Sequence, residues 1–413
     1  MTEAPVATRR RDATVTSALV VVALVAGFAQ FGAVASLADV ARHFGRHASS
    51  QTLQSVVGLS GSELGAGLAV LRLSSLGALP LAALADRTRR TTVLRRTLFA
   101  GLLVTAVASL SPSYWIFVLC FALARPLLSA TSTLVQVVTV ELSSTQRRIH
   151  RLVIVSAGAG AGAGLAAILH GVIRGPDSFR WLFALALVPI VFLAPSVRAV
   201  PEPSFRTDTP APARLGAVPH SVWGRLVAVS VIVFVIGVIS GPASGFTFVY
   251  GESVLKLRPE IVAVVVTLSA VTGLAGLLLS RYLANTIGRK KTVLLGVLAT
   301  AATATLAYSG GDAAFVVGYM GGVASGGLLA PAIAAMSTEL FSHEVRATAA
   351  GWIVVAGVLG ATTGLIVFGL MGDVVHVTGP GSLRIPALVT FLPLLPALVL
   401  LRRLPESSQM ALT

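Results

Sequence analysis

The charged stretch Asp86-Arg87-Thr88-Arg89-Arg90 follows a long apolar run, and a similar stretch, Asn285-Thr286-Ile287-Gly288-Arg289-Lys290, follows another run 199 positions later. We call these stretches the first and the second cassette. Two further landmarks recur at almost the same distance: Glu141 with Arg148 matches Glu339 with Arg346, and Pro201-Glu202 matches Pro405-Glu406. Polar landmarks repeated between long hydrophobic runs indicate two copies of one membrane-embedded unit.

The composition requires a largely lipid environment. The chain has 413 residues, of which 55% are hydrophobic and only 11% charged, and its mean hydropathy is +0.87. A spanning helix needs about 20 predominantly apolar residues. Twelve such runs are centred near Val25, Ala69, Leu103, Ser129, Gly162, Leu187, Val235, Ala270, Thr300, Gly326, Gly360 and Leu394. We therefore predict an all-α integral membrane protein with twelve transmembrane helices in two pseudo-symmetric six-helix bundles.

The net charge of +15 follows from topology and does not indicate a nucleic-acid partner. With both termini in the cytoplasm, 22 of the 31 Lys and Arg residues fall in the tails and cytoplasmic loops, and only 7 fall in the outer loops. This bias is the positive-inside rule of membrane proteins. The two remaining residues, Arg72 and Arg125, lie inside predicted helices. We expect a multi-pass protein of the cytoplasmic (inner) membrane with cytoplasmic N- and C-termini.

The longest polar segment joins the two halves. It is short and rich in proline, so it should be extended and without a core of its own. The predicted domains are residues 1–199 as the N-terminal six-helix bundle, 200–224 as a cytoplasmic linker and 225–413 as the C-terminal six-helix bundle. The sequence has no phosphate-binding G-x-x-x-x-G-K-[ST] loop and a single cysteine, Cys120. We expect no cofactor, no metal site and no enzymatic activity.

The first cassette resembles the signature loop of the major facilitator superfamily of transporters, G-x-x-x-D-R-x-G-R-R between helices two and three. Asp86, Arg87 and Arg90 are kept, whereas Ala82 and Arg89 replace the two glycines and Thr91 the last arginine. The second cassette keeps Gly288, Arg289 and Lys290 but has Arg281, Asn285 and Thr286 where the pattern has glycine, aspartate and arginine. The repeated Glu-x6-Arg pair, Arg180 before helix six and Arg125 in helix four extend the resemblance over essentially the whole chain.

The resemblance implies that the cassettes act as gates. A carboxylate would pair with basic residues or with a helix N-terminus on the cytosolic face, locking that face in one state and releasing it in the other. The predicted cytoplasmic gate comprises Asp86, Arg87, Arg90, Glu141, Arg148, Asn285, Arg289, Glu339 and Arg346.

Two intramembrane arginines are candidates for substrate binding. A charge at the bilayer centre costs at least about 2.5–3.5 kcal/mol, so it needs a partner or an aqueous cavity. By helix rise, Arg72 lies roughly 21 Å from Asp86 and Arg125 roughly 24 Å from Glu141, close to the midplane in each case. Their repeat-related positions are Val271 and Val323, and such asymmetry favours a functional role. The alternative for each is a structural ion pair with an acid on a neighbouring helix.

Two polar stripes lie on helices that the resemblance places around a central cavity. In helix four, Ser129, Ser132 and Gln136 fall within about 40° of Arg125 on a helical wheel. In helix seven, Ser240, Ser244 and Thr247 follow a similar spacing beside Pro242, which could loosen or kink that helix. Together with the two arginines, these side chains are the predicted substrate-binding set.

Three groups near the membrane are candidates for carrying a coupling proton, namely Glu63, Asp39 and His170. Carboxylates and imidazoles are the groups that form proton relays in transporters. A solvated helix end is the alternative interpretation of each.

The sequence therefore favours a secondary active transporter that works by alternating access. Because arginine binds carboxylate or phosphate through two parallel hydrogen bonds, a small organic anion carried with protons is the preferred substrate. Proton-coupled multidrug efflux is the nearest alternative. The antiporter signature of the family has a proline beside the glycines of helix five, and no proline occurs from Gly158 to Gly164 in this chain. A non-transporting membrane sensor is the alternative from another class.

The expected partners are a small-molecule substrate, a proton or other ion gradient and the lipid bilayer, with no nucleic acid, and the chain is expected to be a monomer.

Overall fold

A computed structural model describes residues 6–46, 52–143, 147–175, 177–198, 200–203 and 219–406. Most of the predicted linker therefore lies outside the described residues. In the described part of the chain every regular element is helical. The α-helices are α1 Val6–Ala35, α2 Leu37–Phe44, α3 Leu53–Val57, α4 Gly61–Ser74, α5 Ala78–Arg87, α6 Arg90–Val107, α7 Tyr114–Glu141, α8 Arg148–Val172, α9 Ser178–Ala184, α10 Leu187–Arg198, α11 His220–Gly245, α12 Pro259–Thr286, α13 Arg289–Ala307, α14 Asp312–Leu340, α15 His343–Val374, α16 Arg384–Phe391 and α17 Leu395–Arg403.

Eleven helical segments of the described chain are long and apolar enough to cross a membrane. The twelfth predicted span, near Leu187, corresponds to a shorter apolar helical segment, Ser178–Leu193. The all-α membrane fold predicted from the sequence is confirmed, and the protein is a multi-pass membrane protein.

Three of the apolar helical segments are interrupted, and a proline lies at or just after each break. The span Gly61–Arg87 consists of α4, a 3₁₀ turn and α5, and Pro80 follows the turn. Pro189 lies in the first turn of α10, just after the break from α9, and Pro393 separates α16 from α17. Proline lacks the amide hydrogen and its ring clashes with the carbonyl four residues earlier, which favours a break at these places. Other helices, α7, α11 and α14, continue through an internal proline.

The chain divides into two compact units by its internal contacts. Unit 1 consists of residues 1–39 and 74–209, and unit 2 of residues 40–73 and 210–413. In unit 1, α1 packs along α8 and α6 packs along α7; in unit 2, α11 packs along α15 and α13 along α14. These pairs occupy repeat-related positions, so the two sequence repeats use the same helix packing. The predicted division at the linker 200–224 follows the sequence repeats and stays a prediction.

Glycines permit the closest of these helix contacts. A Cβ atom on Gly162 of α8 would collide with the backbone carbonyl of Leu24 in α1. In unit 2, a Cβ atom on Gly360 of α15 would collide in the same way with the carbonyl of Phe234 in α11. In lipid, where helix association depends on close packing and not on the hydrophobic effect, small residues at such contacts bring the backbones together.

Helix α4 belongs to unit 2 and packs against α15 there. Gly61 and Gly65 contact the backbone of Leu365 and Gly369. The carboxylate of Asp373 accepts hydrogen bonds from the backbone amides of Gly61, at 2.5 Å, and Ser62, at 2.8 Å. A carboxylate at this position compensates the unpaired amides and the positive end of the α4 dipole.

Candidate functional site

The intramembrane Arg125 lies in a polar cluster between α1 and α7. Its Nη1 donates a hydrogen bond to the backbone carbonyl of Gln30 at 3.3 Å. The side-chain amide of Gln30 in turn donates to Ser132 Oγ at 2.8 Å and to the carbonyl of Leu128 at 3.3 Å. The cluster therefore contains a guanidinium and a hydroxyl group that can donate hydrogen bonds to an anion. The Gln30 amide uses both of its hydrogens to join α1 to α7.

Gln30 was not among the residues predicted from the sequence. It is the only polar side chain between Ala18 and Ala35 of α1. A lone amide in an apolar span is costly unless it finds a partner, so this residue carried a signal that sequence analysis could have used. The partner itself, Ser132, lies 102 positions away and is identified only by the folded structure.

The other predicted residues of α7, Ser129 and Gln136, and the second intramembrane arginine differ in their exposure. Ser129 is half-buried and its carbonyl accepts from Thr133 Oγ1 at 3.1 Å. Gln136 is exposed. Arg72, the second intramembrane arginine, is half-buried in α4 and belongs to unit 2.

The predicted polar stripe of helix seven bonds largely to the backbone of α11, and Thr247 lies just beyond the end of that helix. Ser244 Oγ donates to the carbonyl of Ser240 at 2.8 Å, and Thr247 Oγ1 donates to that of Ala243 at 2.9 Å. Ser244 is exposed, whereas Thr247 is buried. Near Pro242, which removes a backbone donor from the helix, the hydroxyl of Tyr308 donates to the carbonyls of residues 242 and 243 at 3.2 and 3.1 Å.

Beyond the end of α11 the chain forms a π-helical turn, Val249–Val254. Tyr250 in this turn is buried against Tyr308 and Phe315 and donates a hydrogen bond to the carbonyl of Pro380 at 2.8 Å. Burial raises the pKa of Tyr250 to about 12, so its hydroxyl keeps its proton at neutral pH. Glu252 of the same turn has a buried side chain and pairs with Arg42 at 3.4 Å.

Two of the three predicted proton-carrying groups lie together in unit 1. His170 of α8 is buried, and its Nδ1 is 3.3 Å from Asp39 Oδ2 of α2. Ser178, the first residue of α9, donates its hydroxyl hydrogen to the same Asp39 oxygen at 2.6 Å. An imidazole, a carboxylate and a hydroxyl joined in this way form a short chain of groups that can exchange a proton.

The third predicted group, Glu63, makes the contacts of a helix cap. Its Oε2 accepts from the Ser60 amide at 3.1 Å and from Ser60 Oγ at 2.9 Å, and Ser60 Oγ accepts from the Glu63 amide at 3.1 Å. This reciprocal Ser-x-x-Glu arrangement is the capping box that begins many helices.

The first cassette is held by two carboxylates from distant parts of unit 1. Arg90 donates to Asp86 Oδ1 at 2.8 Å and forms an ion pair with Glu141 at the end of α7. Glu202 accepts hydrogen bonds from the backbone amide of Thr91, at 3.2 Å, and from its hydroxyl. Arg87 and Arg148 are exposed.

The second cassette repeats this arrangement in unit 2. Arg289 Nε and Nη2 each lie 3.2 Å from Glu339 Oε1 at the end of α14, and Glu406 Oε1 accepts from the Arg289 amide at 2.8 Å. Arg346 donates to the carbonyl of Phe341 at 3.2 Å, and Asn285 is exposed. The Glu-x6-Arg landmark thus supplies the carboxylate for the cassette arginine, Arg90 or Arg289.

The recurring Pro-Glu pair, whose role the sequence left unassigned, now has a structural one. Glu202 and Glu406 place a carboxylate at the N-termini of α6 and α13. Such a group satisfies unpaired amides and interacts favourably with the helix dipole. Among the described residues, no group of three or more His, Cys, Asp or Glu side chains is placed to hold a metal ion.

The sequence profile of the Major Facilitator Superfamily matches residues 19–259 and 253–411. No curated protein matches the sequence. A bacterial homologue of the human lysosomal transporter Spinster, in an inward-facing and occupied conformation, has a similar fold, with a TM-score of 0.72 at 15% identity over 96% of this chain and 97% of that chain.

Two further solved structures share the fold. A D-xylose-proton symporter aligns with a TM-score of 0.70 at 17% identity, over 95% of this chain and 98% of that chain. The human organic anion transporter MFSD10 aligns with a TM-score of 0.64 at 14% identity, over 94% of this chain and 99% of that chain. At these identities the likeness shows the fold alone.

Proposed function

The chain belongs to the major facilitator superfamily and is a secondary transporter, and from this premise we propose that it carries a small organic anion together with protons. Transport would proceed by alternating access to a site near the middle of the membrane. The observation that carries the proposal is the Arg125 cluster, because it combines a permanent positive charge with the Ser132 hydroxyl, which the Gln30 amide holds in place.

The chemistry of Arg125 favours an anion. A guanidinium is planar, keeps its charge at every physiological pH and can form two parallel hydrogen bonds with a carboxylate or phosphate. The hydrogen bond between Gln30 and Ser132, at 2.8 Å, joins α1 to α7 and holds α1 in place beside Arg125. The remaining predicted contacts, Arg72, Ser129, Gln136, Ser240, Ser244 and Thr247, stay predictions.

Proton coupling is assigned to Asp39 and His170. A proton shared between His170 Nδ1 and Asp39 Oδ2 can be released when the distance between α2 and α8 changes, and Ser178 supplies a further hydroxyl on the same oxygen. Glu63 is the weaker of the three candidates because its carboxylate is engaged in the capping box.

The cassettes would gate one face of the protein. Their Arg-Glu pairs, Arg90 with Glu141 and Arg289 with Glu339, join the start of one helix to the end of the next in each unit. We assign this face to the cytoplasm of the inner membrane, with both termini on that side, because 22 of 31 basic residues lie there in the predicted topology. A reporter fused to the C-terminus that is active only in the cytoplasm tests this orientation, and an active periplasmic reporter would contradict it.

Uptake into proteoliposomes tests the substrate class. The purified transporter is supplied with a panel of small organic anions, cations and neutral drugs, with and without an imposed pH gradient. We expect accumulation of an anion that Arg125→Gln reduces at least about thirtyfold, which corresponds to about 2 kcal/mol for a truncated buried charge contact, and that Arg125→Lys partly restores. Arg96→Gln removes a charge from an exposed position and serves as the control.

Three results would overturn the anion assignment. Accumulation of cationic or neutral drugs that Arg125→Gln leaves unchanged would support multidrug efflux instead. Binding of the anion without accumulation under any gradient would support a sensor. Loss of transport in Arg96→Gln to the same extent as in Arg125→Gln would show that the effect is not specific to the cluster.

The coupling step is tested separately. We expect Asp39→Asn to abolish accumulation driven by a pH gradient while exchange of labelled for unlabelled substrate continues, because exchange needs no net proton movement. Asp177→Asn, which changes an exposed carboxylate of the same unit, should leave both processes intact. Unaltered gradient-driven accumulation in Asp39→Asn would refute the role of Asp39.

A further inference from the structure

Unit 2 contains a basic cavity beside the second cassette. Its volume is about 780 Å³, and it lies between the end of α12, the start of α13 and the final helix α17. Four cationic side chains line it: Arg289, Lys290, Lys291 and Arg402. Among the described residues of the lining the only carboxylate is Glu406, so this part of the wall carries a clear excess of positive charge.

Two of the four cations are already committed to the protein. Arg289 pairs with Glu339 at 3.2 Å. Lys290 Nζ donates to the carbonyls of Arg402 and Leu404, at 2.8 and 2.7 Å, and thereby compensates the end of α17. The single carboxylate, Glu406, accepts from the amides of residues 289 and 290 at 2.8 and 3.4 Å, which offsets part of its negative charge.

Lys291 and Arg402 remain available. Both side chains line the cavity and both residues are exposed. Within the described part of the chain, neither the ammonium of Lys291 nor the guanidinium of Arg402 makes a hydrogen bond or an ion pair. Two cations on opposite helices that face one cavity are a suitable pair of donors for a phosphate group.

The rest of the lining is apolar. Leu294, Leu298, Leu398 and Leu401 form the wall away from the cassette. On the same helices, Leu295 is 44% exposed and Leu395 is 74% exposed, as expected for side chains that face lipid tails in a membrane-spanning helix. The cavity therefore joins a cationic end to a surface suited to hydrocarbon.

We propose that this cavity binds the headgroup phosphate of an anionic phospholipid. Lys291 and Arg402 would contact the phosphate, and the acyl chains would run along the leucine wall. The cavity volume falls within the usual range of roughly 300–1,000 Å³ for small-molecule sites. Basic recesses between helices at the cytoplasmic side of membrane proteins have the chemistry that binds such headgroups. Because Arg289 and Glu406 form one wall, the bound lipid would favour the state in which the second cassette is assembled.

Titration of the delipidated, detergent-purified transporter with phosphatidylglycerol tests the proposal. The unfolding temperature is followed as the lipid fraction of the micelle rises, because a ligand of the folded state raises stability. Phosphatidylcholine with the same chains and inorganic phosphate alone are the comparison ligands. We expect stabilisation by phosphatidylglycerol that clearly exceeds that given by either of them.

Charge-removing variants identify the site. Each cation near an anionic headgroup contributes about 1 kcal/mol, so the double variant Lys291→Gln/Arg402→Gln should bind phosphatidylglycerol roughly thirtyfold more weakly. The matched control Arg96→Gln/Arg403→Gln also removes two exposed cations, one of them adjacent to Arg402, but neither residue lines the cavity. Its affinity should stay within about twofold of the wild type. Should the double variant fail to fold, each single variant should bind roughly fivefold more weakly.

Three outcomes would overturn the proposal. Equal stabilisation by inorganic phosphate would indicate a site for a free anion. Equal loss of affinity in the control pair would indicate attraction by surface charge in general. Unchanged affinity in both single variants and in the double variant would show that Lys291 and Arg402 do not bind the lipid.

Discussion

The two cassettes occupy the same positions in the repeat but differ in their charge. In the first, Arg90 binds two carboxylates, Asp86 and Glu141. In the second, Arg289 binds Glu339 and donates to the carbonyl of Ala284 at 3.2 Å. Asn285 occupies the position that Asp86 occupies in the first cassette, so one negative charge is missing.

The comparison distinguishes the contacts that both cassettes share from those that only one of them makes. Both cassettes keep an Arg-Glu pair between consecutive helices and a second glutamate at a helix N-terminus, which together fix the loop. The second also lines a cavity whose wall combines an excess of positive charge with apolar side chains. Under the two proposals made above, both cassettes would act as gates, and the second would also respond to an anionic ligand.

The largest effect is expected where the two units are most alike. Gly162→Ala places a methyl group against the Leu24 carbonyl, and Gly360→Ala places one against the Phe234 carbonyl. Each substitution should lower the free energy of unfolding by about 3 kcal/mol, which is the upper end of the range for overpacked sites. Unfolding in detergent measures this loss. Gly160→Ala and Gly326→Ala, whose Cβ atoms would meet no neighbour within 4 Å, are the controls and should be neutral or slightly stabilising. Equal losses in all four variants would refute the packing argument.

The next effect distinguishes the two cassette arginines. Arg90→Gln leaves two carboxylates without their cation and should cost about 2 kcal/mol. Arg289→Gln leaves one and should cost about 0.5 kcal/mol less, because the Asp86 side chain is 57% exposed and such pairs are weak. When Asp86→Asn is present in the background, Arg90→Gln and Arg289→Gln should lower the free energy of unfolding by the same amount, as measured by denaturation. A larger loss in Arg289→Gln than in Arg90→Gln would contradict the comparison.

A smaller effect concerns the capping glutamates. Glu202→Ala and Glu406→Ala each remove the acceptor at a helix N-terminus and should each lower stability by about 1 kcal/mol. Only Glu406 lines the basic cavity, so only its variant should also bind phosphatidylglycerol more tightly. The lipid titration measures this directly. Tighter lipid binding in Glu202→Ala would show that the two caps do not differ in this way.

The smallest effect comes from making the second cassette resemble the first. Asn285→Asp would place a carboxylate at the end of α12, across the turn from Arg289 at the start of α13, and such a surface pair contributes about 0.5 kcal/mol or less. Since Asn285 lines the cavity, the added charge should weaken phosphatidylglycerol binding roughly threefold to fivefold. Asp86→Asn in unit 1 is the reciprocal variant and should not alter lipid binding. A change of equal size in both variants would argue against a separate site in unit 2.

Much of the candidate site was accessible from the sequence, although its contacts were not. The spacing of polar residues selected Arg125 and Ser132 on one helix, but Gln30, which joins them to α1, was missed because it stands alone in an apolar run. Asp39 and His170 were proposed separately and prove to be neighbours, although 131 positions separate them. Glu63 was proposed for its charge, and its role as a cap depends on the local turn that begins at Ser60.

The sequence by itself determined the membrane class, the two repeats and the helix count to within one span, because these depend on local composition and on periodicity. It also located the glutamates of the cassettes and of the Pro-Glu pairs. Only the tertiary structure decided which helix end each carboxylate reaches, since Glu202 and Glu406 lie more than 100 residues from the amides that they cap. Contacts over such distances depend on how the helices pack, and packing is set by the whole set of side chains and not by any one segment.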